Sequence, residues 1–355
     1  MTSHPEFNSK TTATEAATAF GQAIKGKSVV ITGVSPSGIG ASTALAIASQ
    51  APAALVLASR TRTKLNTVAS DIKEKYPDVI IHLVTLDLSS IESIRAAAAE
   101  IKSVIDKLDV LVNNAGLTLQ TRDPVKTPGG ITVDLQFFTN HVGPFLLTEL
   151  LVTNILAAGS HPSGGGSRIV NVSSHGHRLS PIRFSDYALE ADLYNGVPED
   201  ERPPTGLPPG FLQVTDGYYG FIGYGQSKTA NILHASELKR RLGRRGSSLL
   251  ALSVHPGTID TGLSRSLDEQ ARNTLEGTAP AGIWKSIDEG AATTIVAAFD
   301  PKLADSGGDT TVADTLYLAD CQFATEKLAA HASDEKCAQQ LWEQTEKMLN
   351  VVSVL

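Results

Sequence analysis

A chain of 355 residues that is 41% hydrophobic and 19% charged can bury one large core or two small ones. Its formal net charge of −7 argues against nucleic acid as a general partner, and two cysteines, Cys321 and Cys337, exclude a disulfide framework and point to a reducing, cytoplasmic setting. No run approaches the roughly twenty apolar residues of a transmembrane segment, and the Thr- and Ala-rich start lacks the apolar stretch of a secretory signal.

Residues 1–25 read as a tail or a short first helix, and residues 26–355 as one domain. From Lys27 onward, short β-branched runs alternate with helical stretches. Strands are expected at 28–32, 54–58, 80–84, 110–112, 168–172 and 249–254, and helices at 41–50, 63–76, 90–106, 135–158 and 224–241. Near-continuous apolar strands separated by helices imply an α/β fold, a doubly wound Rossmann-type domain whose parallel sheet is covered on both faces. Two stretches break the rhythm. His161 to Ser167 is a Gly-rich connector, and the long, proline-rich stretch at about 175–223 is either a substrate-covering excursion or an inert surface insertion.

The first strand runs into Thr32-Gly-Val-Ser-Pro-Ser-Gly38-Ile-Gly40, followed by a helix. Glycines there let the backbone turn tightly and approach a pyrophosphate at the helix N-terminus, where free N–H groups and the dipole favour anions. An NAD site places an acid at the end of the second strand to hold the ribose 2′-hydroxyl. Here that strand ends Ser59-Arg60-Thr61-Arg62, with no carboxylate, so an arginine would instead accept a 2′-phosphate and NADP(H) is favoured. Asp87-Leu88, after the third strand, has two readings: a partner for the adenine amine, or an acid opening a helix.

Tyr224 and Lys228 stand four apart, on one helix face, downstream of Ser174. A free phenol titrates near pH 10, and a neighbouring ammonium favours its ionised form and brings it toward the working range. Ser174 would hold a substrate oxygen beside the phenol. The isolated spacing also suits an exposed helical pair.

Taken together, the glycine turn, Asn113-Asn-Ala-Gly116 after the fourth strand, Ser174, Tyr224, Lys228 and Pro256-Gly-Thr-Ile-Asp-Thr261 resemble the short-chain dehydrogenase/reductase family, in that family's order. The stretch Phe138 to Thr148, the run Tyr224 to Asn231 and the ending Leu316-Tyr-Leu-Ala-Asp-Cys321 are most similar to its retinol-dehydrogenase and WW-domain-oxidoreductase-like branch.

The resemblance implies a tetrad: Tyr224 as general acid or base, Lys228 holding the nicotinamide ribose, Ser174 polarising the carbonyl, and Asn140 anchoring a water that leads to Lys228. It further implies cofactor contacts from Gly33, Ser35, Ser37, Gly38, Ile39, Gly40, Ser59, Arg60, Thr61, Asp87, Leu88, Asn114, Ala115, Gly116, Pro256, Gly257, Ile259 and Thr261. The expected activity is NADP(H)-dependent interconversion of a carbonyl and an alcohol on a small hydrophobic substrate, in the reductive direction. An epimerase, dehydratase or imine reductase would use the same tetrad, and a non-catalytic NADP-binding regulator would keep the fold alone. Family members are often dimers or tetramers, so a homo-oligomer is an expectation.

Two departures qualify the match. Four residues separate Gly33 from Gly38 where the family pattern has three, and the stretch between Ser174 and Tyr224 is much longer than in minimal members. His175 and His177 flank a glycine without a third ligand at suitable spacing, so no metal is expected. His141 and His255 are read as structural, and the basic run from Lys239 to Arg241 as a helix end suited to cations.

Overall fold

The computed structural model describes residues 1–159, 166–260, 267–278, 284–305 and 316–355. Strands form at the six apolar runs: β1 (Ser28–Thr32), β2 (Ala54–Ser59), β3 (Ile81–Thr85), β4 (Val110–Asn113), β5 (Arg168–Val172) and β6 (Leu250–His255). They pair in the order β3-β2-β1-β4-β5-β6, and every pairing is parallel. The order reverses between β1 and β4, where an open α/β sheet leaves a crevice at its carboxyl edge. The expected doubly wound fold is therefore present.

Two further strands, not anticipated from the sequence, extend the sheet. β7 (Tyr317–Ala319) runs parallel to β6, and β8 (Gln322–Phe323) returns antiparallel beside it. Asp320 and Cys321, with φ of 52° and 64°, make the two-residue turn between them.

Helices cover both faces. One face carries α1 (Ala13–Ala19), α2 (Ile39–Ala48), α3 (Arg62–Lys75) and α8 (Ile287–Phe299). The other carries α4 (Ile91–Val104), α5 (Gly143–Gly159), α6 (Gly220–Arg244) and α9 (Glu335–Leu349), while α7 (Glu269–Thr278) lies apart. Periodicity sets these faces: α4 buries Ile94, Ala97, Ala98 and Ile101, one stripe at helical spacing. The N-terminal segment is tied down by Thr12 and Glu15, which form a reciprocal capping box, and α1 buries Ala13, Ala16 and Ala17.

The helical stretch Leu135–Gly159 corrects one expectation, because its mean hydropathy of 1.5 and its length reach those of a membrane-crossing helix. It serves as a core helix: 61% of its most apolar window is buried, and Thr148 Oγ1 within it accepts from Asn113 Nδ2 of β4 at 3.1 Å. Within it, Phe138–Val142 forms a π-helical turn, a widening of the helix that often marks functional sites.

The 175–223 excursion is ordered by polar staples and a small core of its own. Arg183, with no side-chain exposure, donates to the carbonyls of Leu193 and Asp192 and pairs with Asp186 at 3.1 Å. A buried guanidinium is tolerated when its protons are taken up in this way. Leu179, Leu189, Leu193 and Tyr218 pack with Phe221 and Ile222 of α6 and with Leu267 and Ala271 beside and on α7. A small buried apolar cluster thus packs on the N-terminal end of α6, immediately before Tyr224. The connector at 161–165 lies outside the described residues.

Candidate active site

The crevice opens where β1 ends. Gly33 adopts φ of 73°, and Gly38 caps α2 without a side-chain hydrogen bond, so the N-terminal N–H groups of a ten-residue helix face the cleft. The extra residue of the turn is absorbed by Ser37 in the left-handed region, φ 56°, while Gly38 N donates to Ser35 O at 3.1 Å. Gly33, Ser35, Gly38 and Ile39 line the cleft from this side. Gly40 sits behind it, where a Cβ would meet Asn114 Nδ2 at 2.7 Å. The end of β2 contributes Ser59, Arg60 and Thr61. Arg60 is exposed and holds no protein partner among the described residues, whereas Arg62 is spent on the Leu83 carbonyl. Lys64, one helical turn beyond Arg60, also lines the cleft and was not foreseen, although its i,i+4 spacing was legible.

Asp87 is turned to local use: its Oδ1 accepts from Ser89 N at 2.9 Å and Ser89 Oγ at 2.6 Å, and Leu86 and Leu88 face the cleft instead. Asn114, Ala115 and Gly116 line the opposite wall, held by Asn114 Nδ2 donating to Thr32 O at 2.8 Å. Pro256 lines the inner end. Gly257 lies against the Lys285 stem, a Cβ there meeting Lys285 Cδ at 2.6 Å, and Ile259 packs on Gly290 of α8. Thr261 lies outside the described residues.

Tyr224 and Lys228 stand on the inner wall, Lys228 Nζ 5.6 Å from the Tyr224 ring centroid. Ser174 Oγ accepts from Gly176 N at 3.1 Å, which leaves its own proton for Tyr224, to which it is hydrogen-bonded. Burial pushes the Tyr224 phenol up to about 12, against the Ser174 hydrogen bond, and pushes Lys228 down to about 8. Burial thus works against the lowering expected of a neighbouring ammonium. Small residues make this packing possible: a Cβ on Gly176 would meet Tyr224 Cε1 at 3.0 Å.

Asn140 sits in the π-helical turn, and its side chain is fully engaged. Oδ1 accepts from Leu117 N at 2.9 Å, while Nδ2 donates to Leu117 O and to Ser227 Oγ, both at 2.9 Å. The structure thus brings Ser174, Tyr224, Lys228 and Asn140 into one neighbourhood at the cleft's inner end. Ser173, Leu117, Thr139 and Val172 join the lining without having been singled out.

The histidines hold structure. His177 Nδ1 donates to Ser174 O at 2.7 Å while its Nε2 accepts from Ala329 N at 3.2 Å, tying the serine to the C-terminal segment. His175 stacks on His255 at 3.7 Å between centroids, and His141 Nε2 donates to Thr345 of α9 at 2.9 Å. Among the described residues no three His, Cys, Asp or Glu side chains are grouped to hold a metal. Arg240 and Arg241 both pair with the buried Glu237.

One buried acid braces the start of α6. Asp134 accepts from the Tyr218 hydroxyl at 2.7 Å, and Tyr218 lies against Gly223 so closely that no Cβ would fit between them. Burial pushes the Asp134 carboxyl up to about 7 despite that bond, with Asp123 adding to the rise. Because an unfolded Asp titrates near pH 3.9, folding favours the protonated form. That stabilisation is whole below about pH 4 and is lost as pH rises through about 7. Asp134→Asn is expected to flatten this part of the stability–pH curve, read by urea unfolding at about pH 5 and pH 8.

Comparisons with known proteins agree with this geometry. Residues 27–188 match the family model described as short chain dehydrogenase. The chain is 38% identical to the oxidoreductase fscI of Fusarium equiseti over 71% of its own length and 94% of that protein. It is 31% identical to the chloroplastic short-chain dehydrogenase TIC 32 A of Brassica napus, over 90% and 88% of the two chains. Against human retinol dehydrogenase 13, identity is 34% over 68% and 62%. Among solved structures, an uncharacterized protein from Mycobacterium paratuberculosis superposes with a TM-score of 0.62 at 26% identity, covering 94% and 96% of the chains. An NADPH-bound carbonyl reductase from chicken fatty liver shares the fold, with a TM-score of 0.53 at 20% identity over 83% and 97%.

Proposed function

The chain belongs to the short-chain dehydrogenase/reductase family, oxidoreductases acting on alcohols and carbonyls, and on that premise we propose an NADP(H)-dependent enzyme that reduces the carbonyl of a hydrophobic small molecule. The observation that carries the reading is the convergence of Tyr224, hydrogen-bonded to Ser174, and Lys228 on one wall of a cleft whose far end offers Arg60 without a protein partner among the described residues. Gly33, Gly38 and the uncapped end of α2 would cradle a pyrophosphate, Arg60 and Lys64 would take a 2′-phosphate, and Lys228 and Pro256 would border the nicotinamide ribose. The bound nicotinamide supplies or accepts the hydride.

The side chains would divide the remaining work. Ser174, its lone pair occupied by Gly176 N–H, turns its proton to the carbonyl oxygen and polarises it. Tyr224 gives its phenolic proton to the same oxygen. Lys228 offers positive charge beside the phenolate so formed. The reductive direction rests on the NADP(H) preference inferred from Arg60 and the missing carboxylate at the end of β2. The similarity to human retinol dehydrogenase 13 supports a hydrophobic substrate.

Incubation with NADPH and a panel of ketones and aldehydes tests the reading; turnover confined to small polar sugars would overturn the substrate class. Arg60→Ala is expected to weaken NADPH about 10- to 100-fold, the loss of charge-assisted hydrogen bonds to phosphate, and to leave NADH unchanged. Fluorescence titration with both cofactors checks it, and equal effects on both would remove Arg60 from the phosphate site.

A further inference from the structure

We propose that Asn231 is a positioning residue of the reaction, clamping the Lys228 ammonium to the backbone of the π-helical turn; the inference rests on the oxidoreductase reading above. Asn231 lies one turn beyond Lys228 on α6, and both are buried, at 5% and 4% exposure. Lys228 Nζ donates to Val172 O at 3.0 Å and to Asn231 Oδ1 at 3.3 Å. Asn231 Nδ2 donates to the backbone carbonyl of Asn140 at 2.6 Å, and the Asn231 carbonyl accepts from Asn171 Nδ2 at 3.1 Å.

The orientation of this amide is determined by its neighbours. Flipping it would set an NH₂ against an ammonium and an oxygen against a carbonyl, two repulsions in a buried site. Lys228 has three protons, and two are committed. The third is left at the cleft wall beside Gly116, where a Cβ would stand 3.2 Å from Nζ. Asn231 therefore decides which way the remaining proton points. The link from Lys228 to Asn140 runs through protein atoms, where the family resemblance implied a water. The Asn140 side chain is meanwhile occupied by Leu117 and Ser227.

Few groups compete for this lysine. Tyr224 on the same helix is its titratable neighbour, at 5.6 Å from the ring centroid. The residues facing it from β5, from the loop after β4 and from the π turn are Val172, Ser173, Gly116 and Asn140, all uncharged. An acceptor on the charged form favours that form, so Asn231 holds up the lysine's affinity for its proton against burial.

The test uses the full chain with two substitutions that act in opposite directions. Asn231→Ala removes the acceptor, and Lys228 should titrate about one pH unit lower, with the alkaline fall of reductase activity moving down equally. The kcat should drop about tenfold with the carbonyl KM unchanged, since about tenfold less lysine stays charged above its pKa. Asn231→Asp keeps an acceptor and adds charge, and should move the same titration upward. Lysine side-chain NMR on 13C-lysine-enriched protein reads the titration without turnover, and either variant alone decides, so one that fails to fold leaves the test standing. An unshifted Lys228 titration and an unshifted pH–rate profile would overturn the proposal. The unsubstituted chain is assayed alongside with NADPH and the carbonyl panel: no turnover of any member would sink the oxidoreductase reading, while the lysine titration still reports on Asn231.

Discussion

Replacing Tyr224 by phenylalanine is expected to lower carbonyl turnover by about 10²–10⁴-fold, the usual contribution of a positioned general acid. The substitution removes one oxygen and leaves the ring, so the close packing of Gly176 against Cε1 survives. Ser174 keeps its bond from Gly176 N–H and loses only its contact to the phenol. The stability cost should stay near 1 kcal/mol, one hydrogen bond of a buried hydroxyl. Cofactor binding should change little, because the glycine turn, Arg60 and Lys228 are untouched. Steady-state kinetics with an accepted ketone, paired with NADPH titration, separate the two quantities. A variant retaining more than about a tenth of wild-type turnover would mean that another group delivers the proton.

The parts of this site that were legible in the sequence are those where one residue type answers a local demand. Gly33 sits in a left-handed conformation, and an arginine with no carboxylate beside it closes β2. Five of the six apolar runs became strands buried on both faces, a condition that writes itself into composition, while β3 at the sheet edge is only partly covered. What escaped depended on relations between distant segments. β7 and β8 turn on Asp320 and Cys321, left-handed residues that are not glycine, and Cys321 N is held by Thr293 Oγ1 of α8 at 3.1 Å. The π turn at Phe138–Val142 has no sequence signature, because side-chain periodicity alone does not distinguish it from α-helix.

The excursion at 175–223 was visible as an interruption, yet its order rests on the fully buried Arg183, a residue type rarely found inside. Its partners are mostly backbone carbonyls of Asp192 and Leu193, which composition does not reveal. Asp87 shows the opposite difficulty: both of its readings fitted the sequence, and the short bonds to Ser89 show which local use its Oδ1 serves.

Gly33→Ala is the second large expected effect, and it should strike stability and cofactor binding together. At φ of 73° a side chain costs about 1–2 kcal/mol of backbone strain. The new Cβ would also stand 2.6 Å from Ala115 Cα, and overpacking of this kind adds about 1–3 kcal/mol. Neither side can yield freely. Gly33 N is tied to Ala58 O of β2 at 2.8 Å, and Ala115 N is tied to Thr32 Oγ1 at 3.1 Å. Relief must come from moving the Asn114–Gly116 wall, which lines the cleft and backs Lys228. A loss of about 2–5 kcal/mol in urea unfolding is expected, together with NADPH binding weakened by more than about 100-fold. Gly130→Ala provides the control, since Gly130 has φ of 81° but nothing within 4 Å of its would-be Cβ. Strain alone should then cost about 1 kcal/mol and spare the cofactor site. Equal losses in the two variants would show that backbone strain, rather than the contact with Ala115, is what the first glycine of the turn avoids.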